Sequence, residues 1–522
     1  VAALFALFML GVAPSVDWLD TGSLASSAWM LGVAHPPGEP GWLAPARLAM
    51  LVPVGDLAFR VNVLSALCVA ACAWPLVWLT RAAVGRDVAL GPAFAVGVGL
   101  LGFGARMQAH RAEVYGLVAL LLLLALAASV CLAGRRATAA LALLLGMAAA
   151  VHPLLAAAAT PALLIARGIR SAWGMRDLPI AAAFGLTSFA AYGWLPVRAM
   201  ANPARAWGVP DSPGRFVDVL LGRAFAGNFG GEAGSLLDNL GVVLGRHALS
   251  GTLTAAGFAA VGWFVLRATE PSDARRALLW AAPLWVLGNA MTILPQNKVF
   301  GSNPDVLGYL LVGALAVAPL GGLGVQALRD APLARFKPAL LGLAALAVGM
   351  QLFAGFSAHR TTSHAARQFA TAQSHALPPG ATLFTSGNNT AFVWTYLQSV
   401  ERRRPDMTSL HRVLLGHEHE RLRLQAALRS AGIPWTPVLR AQPAKVLVTV
   451  PDVFIEVRDP ERAMLHQRLR PHGLVWAMHG PRESPELAAL RERTVAAMEA
   501  SHRDDEARAV AALFRANQGA PR

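Results

Sequence analysis

Residues 114–133 read VYGLVALLLLLALAASVCLA, twenty positions with no Asp, Glu, Lys or Arg among them. As a helix rising about 1.5 Å per residue, such a run is about 30 Å long, the thickness of a bilayer's hydrocarbon core. Residues 306–326, VLGYLLVGALAVAPLGGLGVQ, repeat the pattern. The whole chain has 522 residues, 55% hydrophobic and only 14% charged. Buried backbone polar groups have no water partners in lipid, so runs of this length and composition must close their hydrogen bonds as helices. The chain therefore reads as an α-helical polytopic membrane protein.

Working outward, apolar runs lie near residues 1–14, 61–80, 88–105, 114–133, 137–151, 153–166, 178–197, 251–267, 277–295, 305–326 and 338–357, which predicts about eleven transmembrane helices. Residues 137–166 taken as one helix would be about 45 Å long, so two shorter crossings broken at His152-Pro153 fit better. The run ending near Val12 has no basic segment before it and is expected to be a span rather than a secretory leader. Arg81 and Arg86, Arg135 and Arg136, Arg167, Arg170 and Arg176, Arg267, Arg275 and Arg276, and Arg329, Arg335 and Lys337 fall in alternate loops. The positive-inside rule makes those loops cytoplasmic. The first loop (15–60), the short loop from Arg106 to Glu113, the segment 198–250 and the tail are then expected outside.

The formal net charge of +15 reads as a membrane signature plus an Arg-rich tail, and no nucleic-acid partner is expected. Cys68, Cys72 and Cys131 all lie in apolar runs, so no disulfide framework or zinc site is expected. From about residue 358 to 522 the composition changes, and 15 of the chain's 30 acidic residues lie there. Residues 381–386 and 407–415 read as strands around a helix at 390–401, with a third strand at 445–450 and helix over 483–516. The expectation is a membrane domain at 1–357 and a soluble, extracytoplasmic α/β plus helical domain at 358–522.

Ionisable residues in so apolar a chain require a reason. In the first loop stand Asp17, Asp20 and His35, the last opening His-Pro-Pro-Gly; a carboxylate at the membrane surface can act as general base, though a solvated loop acid looks the same in sequence. A second cluster holds Arg106, His110, Arg111, Glu113 and Tyr115. Its arginines suit a phosphate or, equally, lipid headgroups. A third cluster, around Trp194, Arg198 and Asn202, suits the same cavity or an interfacial belt. Gly97-x-Gly99-x-x-Gly102 matches a dinucleotide fingerprint only by letters and is assigned to helix packing. His417-Glu-His419-Glu420 places its residues on different helix faces and is not assigned to a metal.

Asp20-Thr-Gly22, Leu31-Gly-x-Ala-His35-Pro-Pro-Gly38, Phe59-Arg-Val-Asn62-x-Leu-Ser65-Ala, Arg111-Ala-Glu113-Val-Tyr115, the His152-Pro153 break and Leu195-Pro-Val-Arg198-Ala-x-Ala-Asn202-Pro203 follow one another in order. In this order they resemble the bacterial membrane family similar to protein O-mannosyltransferases, within the GT-C class of polytopic glycosyltransferases. The resemblance implies a GT-C-like membrane domain and a hexose, mannose first among candidates, moved from a polyprenyl phosphate sugar donor to an exported protein or envelope glycan at a bacterial plasma membrane. It implies Asp20 as the catalytic carboxylate. Arg106, Arg111 and Arg198 are then the candidates for the donor phosphate, and Asp17, His35, Glu113, Tyr115 and Asn202 for support or acceptor positioning. No cofactor is expected, since fixed arginines can replace a divalent metal at a leaving phosphate, although a metal stays open. One departure stands out: the family places an acid just after Asp-x-Gly, and here the residue is Ser23. The rivals are a transporter or flippase of lipid-linked sugars and a non-catalytic envelope scaffold.

Overall fold

The computed structural model describes residues 1–85, 89–171, 174–201, 206–229, 233–266, 271–297, 299, 304–331, 336–358, 364–385, 388–411, 418–430, 453–455, 469–472, 475–478 and 484–499. The membrane domain runs α1 (Ala2–Met9), α2 (Thr21–Met30), α3 (Pro40–Ala49), α4 (Leu57–Ala71), α5 (Ala73–Val84), α6 (Leu90–Leu100), α7 (Phe103–Ala109), α8 (Tyr115–Cys131), α9 (Gly134–Val151), α10 (Pro153–Arg170), α11 (Asp177–Phe189), α12 (Trp194–Ala201), α13 (Pro213–Leu220), α14 (Ala233–Leu249), α15 (Thr252–Leu266), α16 (Asp273–Met291), α17 (Pro304–Asp330) and α18 (Lys337–Phe356). The tail adds α19 (Ala365–Ala376), β1 (Thr382–Thr385), α20 (Asn388–Ser399), β2 (Thr408–His411), α21 (Glu418–Ser430), β3 (Val453–Ile455), β4 (Leu469–His472), β5 (Val475–Met478) and α22 (Pro485–Glu499).

Every one of the eleven apolar runs contains a helix. Among the described residues, six helices are long and apolar enough to cross a membrane, or seven when the bent pair α6–α7 counts as one. The others are shorter or more charged: α1 has eight residues, about 12 Å of rise, and cannot cross alone. α4 and α5 together form a continuous apolar segment from Leu57 to Val84. The run expected at 88–105 instead bends by 67° between α6 and α7. Its bend is at Gly102, where a Cβ would strike the Gln351 side chain of α18. Gly97 and Gly99 do pack helices: a Cβ at Gly97 would meet Val348 at 2.8 Å, and one at Gly99 would meet Leu315 at 3.1 Å.

The break at His152-Pro153 falls as expected. His152 is extended (φ −152°, ψ 94°), its Nδ1 accepts from the Leu155 amide, and Pro153 opens α10 at a position that needs no N–H. α17 is the central helix, almost wholly buried, and packs on α15, α6, α16 and α8. α18 lies at the margin and exposes Leu343, Leu346, Met350 and Phe353 at helical spacing on one face. So continuous an apolar stripe is a lipid-facing surface. The chain is thus a multi-pass membrane protein.

The tail carries a five-stranded sheet in the order β2-β1-β3-β5-β4. β1 is parallel to β2 and β3, with α20 as the crossover between β1 and β2, while β5 is antiparallel to β3 and β4. Of the strands expected at 381–386 and 407–415, the described parts form as β1 and β2, as does the helix between them, while residues 386 and 412–415 lie outside the described residues. The strand expected at 445–450 and residues 500–516 of the last helix lie outside the described residues. The tail is docked on the first loop: Arg367 donates to Ser15 Oγ (2.7 Å), Asp56 Oδ2 (3.1 Å) and Glu401 Oε2 (2.8 Å), and the Ala58 amide donates to Tyr396 Oη at 3.1 Å. One apolar core therefore runs from Leu76 and Leu126 in the membrane part to Phe369 and Trp394 in the tail.

Candidate active site

The first loop is folded against the bundle by buried polar side chains on α4. Asn62, fully buried, donates through Nδ2 to the carbonyls of Ala13 (2.8 Å) and Ser15 (3.0 Å) and accepts from the Ala112 amide at 2.8 Å. Ser65 accepts from the Glu113 amide and lies 3.2 Å from the Glu113 carbonyl, which also accepts from Trp42 Nε1 at 3.2 Å. Here lies the physical use of the Phe59-to-Ala66 motif. A backbone group left buried without a partner costs about 1–3 kcal/mol. Two loops distant in sequence, 13–20 and 110–114, are thereby fixed to one helix.

On this scaffold the carboxylates of Asp20, Glu113 and Asp305 converge, with ligand oxygens all within 4.8 Å of one another. Asp20 stands just before α2 and is partly open, with 22% of its side chain exposed. Glu113 is buried and Asp305 lies in the first turn of α17. Arg111 is the cation that Glu113 and Asp305 share, with Nη2 3.1 Å from Glu113 Oε1 and 3.4 Å from Asp305 Oδ1. Burial pushes the Glu113 carboxyl upward, and Arg111 opposes that shift.

His35 joins the other side of Asp20. Its Nε2 is 3.5 Å from Asp20 Oδ2 and 3.7 Å from Glu39 Oε1. The imidazole is stacked on Phe392 of α20 (6.4 Å between centroids, 19°) and edge-on to Trp207 (6.5 Å). Trp207 and Phe392 are themselves 6.2 Å apart, so three distant segments meet in one aromatic cluster. Close approach of the tail explains Gly22: a Cβ there would collide with the Phe392 carbonyl. Deeper in the bundle Tyr115 lies 5.5 Å from Tyr309 and 6.0 Å from His152.

The remaining residues singled out in the sequence have other partners. Asp17 is buried and its Oδ1 accepts from the Trp18 amide, a turn within the loop. Arg106 is buried under the Phe356 ring, 4.8 Å from its centroid. Arg198 reaches the first loop but donates there to the carbonyls of Leu31 (2.5 Å) and Met30 (3.0 Å), capping α2 where orphan carbonyls and the negative dipole end favour a cation. Asn202 lies outside the described residues. Ser23 is buried within α2 and carries no charge to the site.

Two acids went unnamed in the sequence reading. Glu39 follows Gly38 in the His-Pro-Pro-Gly turn and is buried, and Asp305 follows Pro304 at the head of the longest helix. The signal was available, because any carboxylate in so apolar a chain requires a partner, but Asp305 meets Arg111 194 residues away in sequence, and Glu39 shares His35 with Asp20 only in the folded loop.

Residues 20–173 match the N-terminal domain of protein O-mannosyl-transferase TMEM260. A stretch of 67 residues is 43% identical to protein O-mannosyl-transferase TMEM260 of Mus musculus, covering 13% of this chain and 10% of that protein. The match thus spans about a tenth of that relative's length. Among solved structures, ArnT from Cupriavidus metallidurans superposes in its apo state with a TM-score of 0.57 at 14% identity, over 92% of this chain and 98% of that one. The same protein bound to undecaprenyl phosphate gives 0.58 at 13% identity, over 93% and 98%. At such identity the likeness speaks for the fold. The chain is thus similar in its first third to the N-terminal domain of protein O-mannosyl-transferase TMEM260, and in its overall fold to ArnT.

Proposed function

We propose that this protein is an inverting glycosyltransferase that moves a hexose from a polyprenyl phosphate carrier to a hydroxyl of an exported protein or envelope glycan, at the outer face of a bacterial plasma membrane. Mannose is the sugar to test first. The observation that carries the reading is Asp20: a partly exposed carboxylate at the head of a helix, grouped with two further acids whose cation is Arg111, at the seam between the membrane bundle and the soluble tail.

In a single displacement Asp20 takes the proton of the acceptor hydroxyl as its oxygen attacks the anomeric carbon. The bond from that carbon to the phosphate oxygen breaks, and the sugar inverts. The departing lipid phosphate gains negative charge, for which Arg111 is the nearest fixed countercharge in this arrangement. Glu113 and Asp305 hold that guanidinium in place. Undecaprenyl phosphate bound to the structurally similar ArnT supports a lipid-linked donor.

Purified protein supplied with labelled polyprenyl phosphate hexoses and peptide or glycan acceptors tests the reading. Transfer should be abolished in Asp20→Asn, with donor binding retained. Transfer that survives in the variant sinks the base assignment. Movement of the donor across vesicles without any transfer would support a flippase instead.

A further inference from the structure

Glu39 is the one carboxylate of this site that the proposed reaction leaves unused. It is 2% exposed, and Oε2 has no hydrogen-bond partner. Its only ion-pair contact among the described residues is His35. The backbone around it is well defined: Glu39 is left-handed (φ 48°), and its carbonyl accepts from the amides of Trp42 and Leu43 as α3 begins. Phe392 and Trp207 hold the plane of the His35 ring.

Of the two ring nitrogens, Nδ1 is buried without a hydrogen-bond partner, whereas Nε2 faces both Asp20 and Glu39. An unmatched buried N–H costs more than an unmatched lone pair, so the tautomer assigned here carries its proton on Nε2. A single N–H then stands between two carboxyl groups. The contacts of 3.5 and 3.7 Å are long, and a small rotation closes one at the expense of the other.

We propose that Glu39 is a positioning residue for Asp20, acting through His35: while Glu39 is a neutral acid the His35 N–H serves Asp20, and once Glu39 ionises it competes for that donor. The inference rests on Asp20 being the base. Burial raises the Glu39 carboxyl well above its ordinary range, and the charges of Asp20 and Asp305 raise it further. Groups in electrostatic reach of the pair are Asp20 on α2, Glu113 with its partner Arg111, Asp305 and Tyr309 on α17, Tyr192 ahead of α12, and His152 between α9 and α10. Acids outnumber the cation in this set, which favours one neutral carboxyl; Glu113 and Asp305 pair with Arg111, and of the two acids left to His35, Glu39 is buried whereas Asp20 is partly exposed.

The full chain in lipid nanodiscs tests this as wild type, E39Q and D20N. Infrared spectra supply a readout that needs no turnover. The difference between wild type and E39Q at pH 7 should contain the C=O stretch of a neutral carboxylic acid, fading as pH rises. In D20N, with one neighbouring charge removed, the band should fade at lower pH. No band, or a band whose pH range ignores Asp20, overturns the proposal. With polyprenyl phosphate hexose as donor, wild-type kcat should decline on the alkaline side, and E39Q should move that decline upward by about one pH unit or more with little change in KM. An identical alkaline limb in both proteins also overturns it. Wild type that shows the band and its shift but transfers no hexose would refute the glycosyltransferase reading, leaving the Glu39–Asp20 linkage established.

Discussion

Replacing Asn62 with Ala should damage this protein more than any exposed substitution, and the size of the effect can be worked from the structure. The side chain is fully buried and makes three hydrogen bonds, to the carbonyls of Ala13 and Ser15 and from the amide of Ala112. At about 1 kcal/mol net per bond the loss is about 3 kcal/mol, and backbone groups left unsatisfied add to it unless water enters the vacated space. Such a loss corresponds to a roughly hundredfold rise in the open population of the 13–20 and 110–114 segments. Asn62→Asp separates the contributions: it keeps an acceptor for Ala112 but turns oxygen toward two carbonyls, so it should be at least as harmful. Thermal unfolding in detergent reports stability, and amide exchange at 13–20 and 110–114 reports local opening. Transfer activity should fall by an order of magnitude or more, since displacement of Glu113 and Asp20 by even 1 Å costs about a hundredfold. Destabilisation below about 1 kcal/mol with unchanged exchange would refute the idea that Asn62 fixes the two loops.

Other expectations follow from the same contacts. Arg111→Ala leaves Glu113 and Asp305 without their shared cation, so a loss of about 3–5 kcal/mol and of transfer is expected in unfolding and turnover assays; Arg111→Lys should restore part of the stability and little of the geometry. Gly22→Val inserts a side chain against the Phe392 carbonyl, which should loosen the tail from α2 and expose the α19–α20 region to protease, while a distant Gly342→Val, whose Cβ position is open, should leave proteolysis unchanged. For Glu39 the sign is fixed by its raised carboxyl: the folded state favours the protonated form, so its contribution is largest below the ordinary value of 4.5 and is lost as pH rises toward the folded value. Wild type should therefore lose thermal stability relative to E39Q as pH is raised, and parallel pH profiles would contradict the burial argument.

The apolar run at 114–133, the break at His152-Pro153 and the change of composition near residue 358 were readable because each depends on local physics: hydrophobic length, a missing N–H, and charge density. The two strands and the helix between them in the tail were readable for the same reason. The 67° bend of α6–α7 was not, because its apolar composition reads as one run and the close packing of Gly102 against Gln351 of α18 involves a residue about 250 positions away. Arg198 shows the limit on the site side: its motif marks it as important, but only tertiary structure assigns it to the carbonyls of Met30 and Leu31 rather than to a ligand.

Hydrophobic length and composition settled the solvent and the class of fold along the chain itself, and narrowed the candidates for chemistry to a short set of ionisable residues, with Asp20 foremost among those proposed. Only tertiary structure decided which of those residues meet. Asp305 and Glu39 became part of the site because α17 and the His-Pro-Pro-Gly turn bring them beside Asp20, and Asp17, Arg106 and Arg198 were drawn to other partners. The reason is that charge interactions act through space over a few ångströms, whereas sequence records only order along the chain; residues 20, 113 and 305 become neighbours only when helices pack.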